Sequence, residues 1–263
     1  MNVAEWKKAQ NRFAGATIVI TRPVGEGVSL ARSVRASGGT PVLLPGLALR
    51  ALASDAARTA LAGLARNHAA IFTSPAAVRF AFDLRPSLRV ARETAFALGA
   101  GTARALARHG IEALIPPERS DSEGLLAMHE FAHVRGRRIA LIGAPGGRNL
   151  IAPVLRRRGA KVEAIHVYRR VAPRLTSRHF DALDAARDPL IMLASSAEAL
   201  ANLVALLPAP QIERLRGQIV VVSSARLAVA ARAQGFVEVV LARSAAPRDL
   251  LAAAEAALAH HRL

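Results

Sequence analysis

The sequence predicts an α/β protein made of two similar domains, each built on a parallel β-sheet. Short β-branched runs alternate with helical segments of about ten residues, which is the pattern of a parallel sheet. The 263 residues exceed the usual length of one domain. The second half also echoes the first at a spacing of about 120 residues: Gly39-Thr40-Pro41-Val42 matches Gly159-Ala160-Lys161-Val162, and Gly110 matches Gly235. The duplicated pattern favours two domains over one large sheet.

In the first half, the strand–helix units have recognisable ends. Ser54-Asp55 is a helix N-cap signal, Pro75 suits a first helical turn where no N–H is needed, and Gly110 ends a helix. These signals predict strands over 17–21, 69–72, 95–98 and 112–115, and helices ending at 36 and over 56–66, 76–84, 103–109 and 124–134.

The second half repeats the alternation. Ser195-Ser196 and Ser223-Ser224 precede helical segments, and Gly235 ends one of them. The predicted strands are 138–142, 190–193, 219–222 and 237–241, with helices over 150–158, 178–186 and 226–234, after 196, and from 248.

Two stretches, residues 38–49 and 159–170, are each predicted as a single extended strand. Both begin with small residues, mix apolar and polar positions at about period 2, and are interrupted or followed by proline. Lying side by side, they would form a hinge between two bodies. Tyr168, the only tyrosine of the chain, lies in the second stretch.

Composition favours a polyanionic partner in a reducing compartment. The formal net charge is +17, which suits nucleic acid, phosphate or a polycarboxylate. Because there is no cysteine, disulfides and thiolate catalysis are excluded. No run approaches the ~18 uncharged apolar residues of a membrane span, and residues 1–16 lack the apolar core of a signal peptide. We therefore expect a cytoplasmic protein.

Small hydroxyl or glycine residues followed by helices recur at the carboxyl ends of the predicted strands. In parallel sheets ligands bind at these ends, where helix N-termini attract anions. Any one serine or threonine there could simply cap its helix, but the set as a whole predicts a site for a polyanion. The positions are Thr21-Arg22, Thr73-Ser74, Gly101-Thr102, residues 143–148, Ser195-Ser196 and Ser223-Ser224.

Four better-known motifs are incomplete or missing. Residues 99–104 form half of a dinucleotide fingerprint, but Arg104 stands where a glycine or alanine is needed. Residues 129–133 fit the H-E-x-x-H zinc motif by chance, because Ile139 replaces the third histidine of its longer form. No P-loop and no G-x-S-x-G elbow occurs. We predict no metal site.

The ordered set of motifs resembles the uroporphyrinogen-III synthase family over residues 16–255. Ala76 departs from the asparagine of many members and Leu227 from their threonine, so the family's contacts at these two positions are not carried over to this chain. The pieces that carry the resemblance are residues 20–23, 71–78, 101–106, 116–126, 142–148, 167–170, 194–200 and 222–227.

This resemblance implies a fold and a reaction. The fold would have two flavodoxin- or Rossmann-like domains, residues 1–41 plus 172–263 and residues 48–164, joined by antiparallel hinge strands at 42–47 and 165–171. The reaction would be the dehydration and closure of hydroxymethylbilane, a linear tetrapyrrole polycarboxylate. Ring D is inverted to give uroporphyrinogen III, without metal or other cofactor.

The resemblance also assigns roles to residues. Tyr168 is the predicted catalytic residue, because a protonated phenol can donate a proton to the departing hydroxide. The predicted contacts to substrate carboxylates are Thr73, Ser74, Thr102, Ser195, Ser196 and Ser223, with Arg22 and Ser122 as further candidates.

Two other classes of function stay open from the sequence. The charge would suit a nucleic-acid binder, although the arginines are dispersed, aromatic residues make up only 4% of the chain and no recognition motif occurs. A hinged, two-domain solute-binding protein is the second alternative. For the synthase we expect a monomer with no nucleic acid or membrane partner, with the enzyme that forms hydroxymethylbilane as a candidate partner that supplies the substrate.

Overall fold

The computed structural model describes residues 11–91, 93–146 and 149–261, which divide into two compact units. Unit 1 consists of residues up to Leu49 and from Val171 onwards, and unit 2 is Arg50–Arg170. Most of the predicted N-terminal segment 1–16 and residues 147 and 148 of the predicted loop lie outside the described residues. The predicted fold class, two parallel-sheet units with a small antiparallel sheet, is confirmed.

The elements alternate along the chain, as predicted. The strands are β1 Thr17–Ile20, β2 Thr40–Leu43, β3 Ala48–Ala51, β4 Ala69–Phe72, β5 Ala95–Ala97, β6 Arg138–Gly143, β7 Lys161–His166, β8 Tyr168–Val171, β9 Leu190–Ala194, β10 Ile219–Val222 and β11 Glu238–Leu241. The α-helices are α1 Val28–Ala36, α2 Asp55–Ala62, α3 Pro75–Leu84, α4 Ala100–Ala107, α5 Ser122–Ala127, α6 Ile151–Arg157, α7 Ser177–Asp184, α8 Ala197–Leu206, α9 Ala209–Arg216, α10 Ala225–Ala233 and α11 Pro247–His261.

Unit 1 is built on a five-stranded parallel sheet in the order β11-β10-β9-β1-β2. Successive residues of a strand point to opposite faces, so each strand serves two cores. Val19 of β1 and Met192 of β9 pack into one core, whereas Ile18 and Ile191 pack into the other. Helices therefore cover both faces, which is why these strands read as continuous apolar runs.

Unit 2 is built on a four-stranded parallel sheet in the order β5-β4-β6-β7. Its core packs Ile71 of β4 and Ile139 of β6 against Leu125 of α5 and Phe131. The strand predicted at 112–115 is reduced to one bridge between Leu114 and Phe96. The helix predicted at 124–134 ends at Ala127, because Met128 takes an extended conformation before a short 3₁₀ turn, His129–Phe131.

The stretches predicted as single hinge strands are each divided into two strands. Residues 38–49 contribute β2 to the sheet of unit 1 and begin β3, with Pro45-Gly46 between the two strands. Residues 159–170 contribute β7 to the sheet of unit 2 and then begin β8. The two-stranded sheet is therefore β3 with β8, at 48–51 and 168–171 rather than at 42–47 and 165–171. The other parts of these stretches, β2 and β7, are hydrogen-bonded edge strands of the two parallel sheets instead.

Unit 2 is one continuous segment of the chain, and unit 1 is formed by the segments that precede and follow it. The sheet of unit 1 joins β1 and β2 to β9, β10 and β11, whereas that of unit 2 joins β4 and β5 to β6 and β7. Each sheet has one position from which the strand order runs outwards in both directions. It lies between β1 and β9 in unit 1 and between β4 and β6 in unit 2. Such switch points are where open α/β sheets bind ligands. Of the described helices, none is long and apolar enough to span a bilayer.

Candidate active site

A threonine and a glycine fix the ends of β4 and β6 against each other at the switch point of unit 2. Thr73 directly follows β4, and its hydroxyl and backbone N–H both donate to the carbonyl of Ile142 on β6, each at 3.1 Å. Gly143 ends β6 beside this hydroxyl, and a Cβ built there would overlap the Thr73 oxygen. Thr73 therefore locks the two strand ends together, and its hydroxyl proton is used within the protein.

We expect Gly143→Ala to destabilise unit 2 by about 1–3 kcal/mol, the usual result of overpacking a tight contact. The new methyl group would displace Thr73 from Ile142. Chemical denaturation measures the loss. Gly101→Ala is the matched control. Gly101 lies in α4, where alanine is favoured over glycine by about 0.5–1 kcal/mol, and its Cβ would lie an ordinary 3.6 Å from Pro75. Equal stability of Gly143→Ala and the parent would contradict this account.

A pocket of about 480 Å³ opens at this switch point, entirely within unit 2. Helices α3 and α6 begin at its wall, which favours negative charge there. Its basic side chains are Arg156, His166 and Arg170, and among the described lining residues there is no carboxylate. The other lining residues used below are Thr73, Ser74, Ser122, residues 143–146, Asn149 and Tyr168. The pocket is suited to an anionic ligand.

Tyr168 lies on the wall of this pocket, buried to 6% exposure at the start of β8. Its hydroxyl is 3.1 Å from the Ser74 hydroxyl, and its ring stacks on Phe80 with 5.3 Å between centroids. Ser74 also caps α3 by accepting the N–H of Ala77 at 3.0 Å. Ser74 and Tyr168, predicted separately as a substrate contact and as the proton donor, are thus in direct contact across 94 residues of chain.

His166, Tyr168 and Arg170 line the pocket from alternate positions of one extended segment. The Arg170 guanidinium donates to the Pro145 carbonyl at 3.0 Å, in the loop that follows β6. Neither His166 nor Arg170 was among the predicted site residues. Counting two positions to each side of Tyr168 in the predicted strand would have found both.

The structure brings Ser122 to the pocket but not Thr102. Asp121, not Ser122, caps α5 by accepting the N–H of Gly124 at 2.8 Å. Ser122 is the first residue of that helix and lines the pocket wall. Thr102 is buried to 4% exposure inside α4 and is not among the residues that line the pocket.

The remaining predicted residues belong to unit 1 and lie at the carboxyl ends of its strands. Ser195 and Ser196 follow β9, with Ser196 capping α8, and Ser223 follows β10, where its neighbour Ser224 caps α10. Their switch point is closed by Thr21, whose hydroxyl donates to the Leu193 carbonyl at 2.8 Å.

Arg22 follows Thr21 at the end of β1. Its guanidinium donates to the Ala245 carbonyl at 2.6 Å. Burial lowers the pKa of Arg22 below its ordinary value, and the Glu26 carboxylate partly offsets this effect. An arginine stays charged in proteins, so Arg22 brings a half-buried positive charge to this switch point.

The H-E-x-x-H segment does not form a helical face. Its residues 129–131 are a 3₁₀ turn with Phe131 pointing into the core, while His129 and His133 are exposed. Within the part of the chain that the structure describes, no three histidine, aspartate or glutamate side chains are grouped to hold a metal ion.

Fold and pocket together define a two-unit α/β protein with a small-molecule pocket beyond the carboxyl ends of a parallel sheet. Residues 28–252 match the profile of the family described as uroporphyrinogen-III synthase HemD. The chain belongs to the uroporphyrinogen-III synthase family, as the resemblance predicted. The predicted function and enzyme class, uroporphyrinogen-III synthase and cyclising lyase, are thereby confirmed.

Individual relatives agree with the family match. The uroporphyrinogen-III synthase of Salmonella typhimurium is 33% identical over 251 residues, covering 90% of this chain and 99% of that protein. The Escherichia coli enzyme is 34% identical over 166 residues, or 60% of this chain and 65% of that protein.

Two solved structures show the same fold. A mutant uroporphyrinogen III synthase from the extremely thermophilic bacterium Thermus thermophilus superposes with a TM-score of 0.58 at 21% identity, covering 93% of this chain and 99% of that one. The uroporphyrinogen-III synthetase of Helicobacter pylori 26695 gives 0.60 at 16% identity, with the same coverage of both chains.

Proposed function

We propose that the chain closes hydroxymethylbilane to uroporphyrinogen III with Tyr168 as the proton donor. The observation that carries this proposal is the position of Tyr168. The only tyrosine of the chain lies on the wall of a pocket that has cationic side chains and, among its described lining residues, no carboxylate. A metal is not needed for this step, because a protonated phenol supplies the proton that the leaving group requires.

The chemistry needs one proton at the right place. The C–O bond of the hydroxymethyl group breaks as the Tyr168 hydroxyl delivers a proton to the departing oxygen, which leaves as water. The electron-poor carbon that results is attacked by a carbon of ring D through the spiro route that inverts this ring. The closing carbon finally loses a proton, so the net change is the loss of one water. Holding the chain ends in the attacking geometry is the larger part of the task.

The pocket offers specific partners for the substrate carboxylates. Every pyrrole ring carries an acetate and a propionate, so the substrate is a polyanion. We assign carboxylate contacts in unit 2 to Arg170, His166 and Ser122, which line the pocket, and to the N-terminal turn of α3. The Thr73 hydroxyl is occupied by Ile142, so we assign Thr73 to the shape of the switch point rather than to direct binding.

We make a separate assignment for the residues of unit 1. Arg22, Ser195, Ser196 and Ser223 lie at strand ends of the same kind, and we propose that they contact carboxylates as well. We assign Thr102 only a packing role, because it is a buried residue of α4.

We expect Arg170→Gln to raise KM about 10- to 100-fold and to leave kcat nearly unchanged. A lost hydrogen bond to a charged group is worth about 1.5–3 kcal/mol, and tenfold corresponds to about 1.4 kcal/mol. Steady-state kinetics with hydroxymethylbilane measures the change. Arg169→Gln is the matched control, since Arg169 is the exposed neighbour on β8 and does not line the pocket. Identical KM values for both variants would remove Arg170 from the binding site.

The decisive test of the proposed function is to supply hydroxymethylbilane and separate the isomers formed. Closure without an enzyme gives the symmetric type I isomer, whereas the proposed reaction gives type III. Type III product that scales with protein concentration supports the proposal. A product mixture that matches the protein-free control overturns it.

The proposal includes a cytoplasmic monomer that takes its unstable substrate from the enzyme that forms hydroxymethylbilane. The net charge of +17 then attracts the carboxylates of the substrate rather than nucleic acid. Duplex DNA binding that survives physiological salt with a steep salt dependence would contradict this part.

A further inference from the structure

We propose that Phe80 and Ser74 are positioning residues for Tyr168, so that helix α3 aims the phenol at the leaving group. This inference rests on the proposed function, because it concerns how the proton donor is held. Phe80 belongs to none of the motifs that predicted the site. It enters because α3 reaches both ends of the tyrosine side chain.

The first restraint acts on the hydroxyl group. The Ser74 oxygen is fixed at the start of α3, where it accepts the N–H of Ala77 at 3.0 Å, and it lies 3.1 Å from the Tyr168 oxygen. A serine oxygen that already accepts one hydrogen bond can still donate its own proton. When Ser74 donates to the phenol oxygen, the phenolic proton is left to point elsewhere, towards the pocket that both residues line.

The second restraint acts on the ring. Phe80 and Tyr168 are stacked with 5.3 Å between centroids and 18° between planes, so the phenol can neither tilt nor slide without losing this contact. The guanidinium of Arg79 lies 4.8 Å from the centroid of the Phe80 ring, which in turn restrains the phenylalanine. Ring and hydroxyl are thus held by residues of one helix, although Tyr168 itself belongs to β8.

The arrangement also serves the anionic form that follows proton transfer. The phenolate oxygen keeps the Ser74 hydroxyl as a donor, and it lies beside the first turn of α3, where the helix dipole favours negative charge. The proton moves from the tyrosine oxygen to the leaving oxygen, and the later loss of a proton from the product restores the phenol. No further reactant is required.

The test compares two phenylalanines of α3. Phe80→Leu should lower kcat about 10- to 100-fold with little change in KM, because a small misplacement of a reacting group has effects of this size. Phe82→Leu is the matched control. Phe82 is buried on the same helix but stacks on His109, with 3.7 Å between centroids, and it does not line the pocket. Phe80→Tyr, which keeps an aromatic ring, should retain activity.

A second pair of variants tests the hydroxyl restraint. Ser74→Ala should lower kcat about tenfold without raising KM, whereas a direct carboxylate contact would raise KM. Ser54→Ala controls for the lost helix cap, since Ser54 accepts the N–H of Ala57 at 3.1 Å at the start of α2 and lies outside the pocket. Ser74→Thr keeps cap and hydroxyl and should restore the rate.

Energetic coupling between Phe80 and Tyr168 distinguishes a positioning role of Phe80 from a merely structural one. In the Tyr168→Phe background, Phe80→Leu should lower kcat no further, because the hydroxyl that it positions is gone. Isotope-labelled tyrosine reports on Tyr168 alone in this chain, and Phe80→Leu should shift its ring resonances while Phe82→Leu does not. Additive losses in the double variant, or an unshifted resonance, overturn the proposal.

The outcomes separate this inference from the proposed function. If Tyr168→Phe retains full activity, the proposed donor is wrong. If Tyr168→Phe is slow but Phe80→Leu and Ser74→Ala turn over like the parent enzyme, only the positioning role fails.

Discussion

Replacing Tyr168 with phenylalanine should lower kcat by about 10²- to 10⁴-fold, the usual contribution of a general acid. The change removes only the hydroxyl, which lies 3.1 Å from Ser74, and keeps the ring that stacks on Phe80. The product should still be mainly the type III isomer, because the isomer is decided by how the substrate is held and not by the proton donor. Single-turnover kinetics with separation of isomers measures both quantities.

The stability of this variant provides its control. Loss of one hydrogen bond lowers the free energy of unfolding by about 0.5–1.5 kcal/mol, too little to explain the expected rate. A folded Tyr168→Phe protein with an unchanged rate would show that another group supplies the proton. A change to the type I isomer would mean that Tyr168 holds the substrate instead of protonating it.

Replacing Phe131 with alanine should lower the free energy of unfolding of unit 2 by about 3–5 kcal/mol, as is usual for buried phenylalanines. Phe131 is 1% exposed and packs edge-on against Phe96, with 4.7 Å between centroids. Its carbonyl also accepts the Arg158 guanidinium at 2.8 Å, which anchors the 3₁₀ turn. Chemical denaturation followed by circular dichroism measures the loss.

Phe180→Ala is the control for this experiment. Phe180 is a half-buried phenylalanine of α7 at the margin of a core in unit 1, so its truncation should cause a smaller loss. We propose that the two units are domains with separate cores, and Phe131→Ala should then leave a transition that belongs to unit 1. Equal losses for both variants would contradict the burial argument, and a single shared transition would contradict the separate cores.

Local signals predicted most of the secondary structure because they act over a few residues. Ser54 and Pro75 begin the helices that the sequence assigned to them, and Gly110 and Gly235 take positive φ after helices. Prediction failed where the outcome depended on distant partners. The 112–115 stretch is apolar enough for a strand, yet only Leu114 finds a bridge, and the 124–134 segment bends at Met128 to bring Phe131 into the core.

The candidate site divides in the same way. Ser74, Ser122 and Tyr168 could be predicted because motif and family pattern mark them, and the structure lines one pocket with all three. Phe80 could not be singled out, since an apolar helix residue carries no local signal, and Arg170 carries one only through its spacing from Tyr168. Their roles come from contacts with Tyr168 and Pro145, which lie far from Phe80 and Arg170 in the chain.

By itself, the sequence determined the α/β class and the duplicated pattern, and through the family resemblance it indicated the reaction, whereas Tyr168 as the proton donor is our proposal. The class and the duplicated pattern follow from residue types and short spacings, which are properties of the sequence alone, whereas the reaction follows from the likeness of the motifs to a known family. Only the tertiary structure decided which strands pair within each sheet, that the predicted hinge stretches divide among three sheets, and that α3 contacts Tyr168. Strand pairing and side-chain packing join residues that are distant in the chain, so the partners are chosen by which surfaces can be buried together.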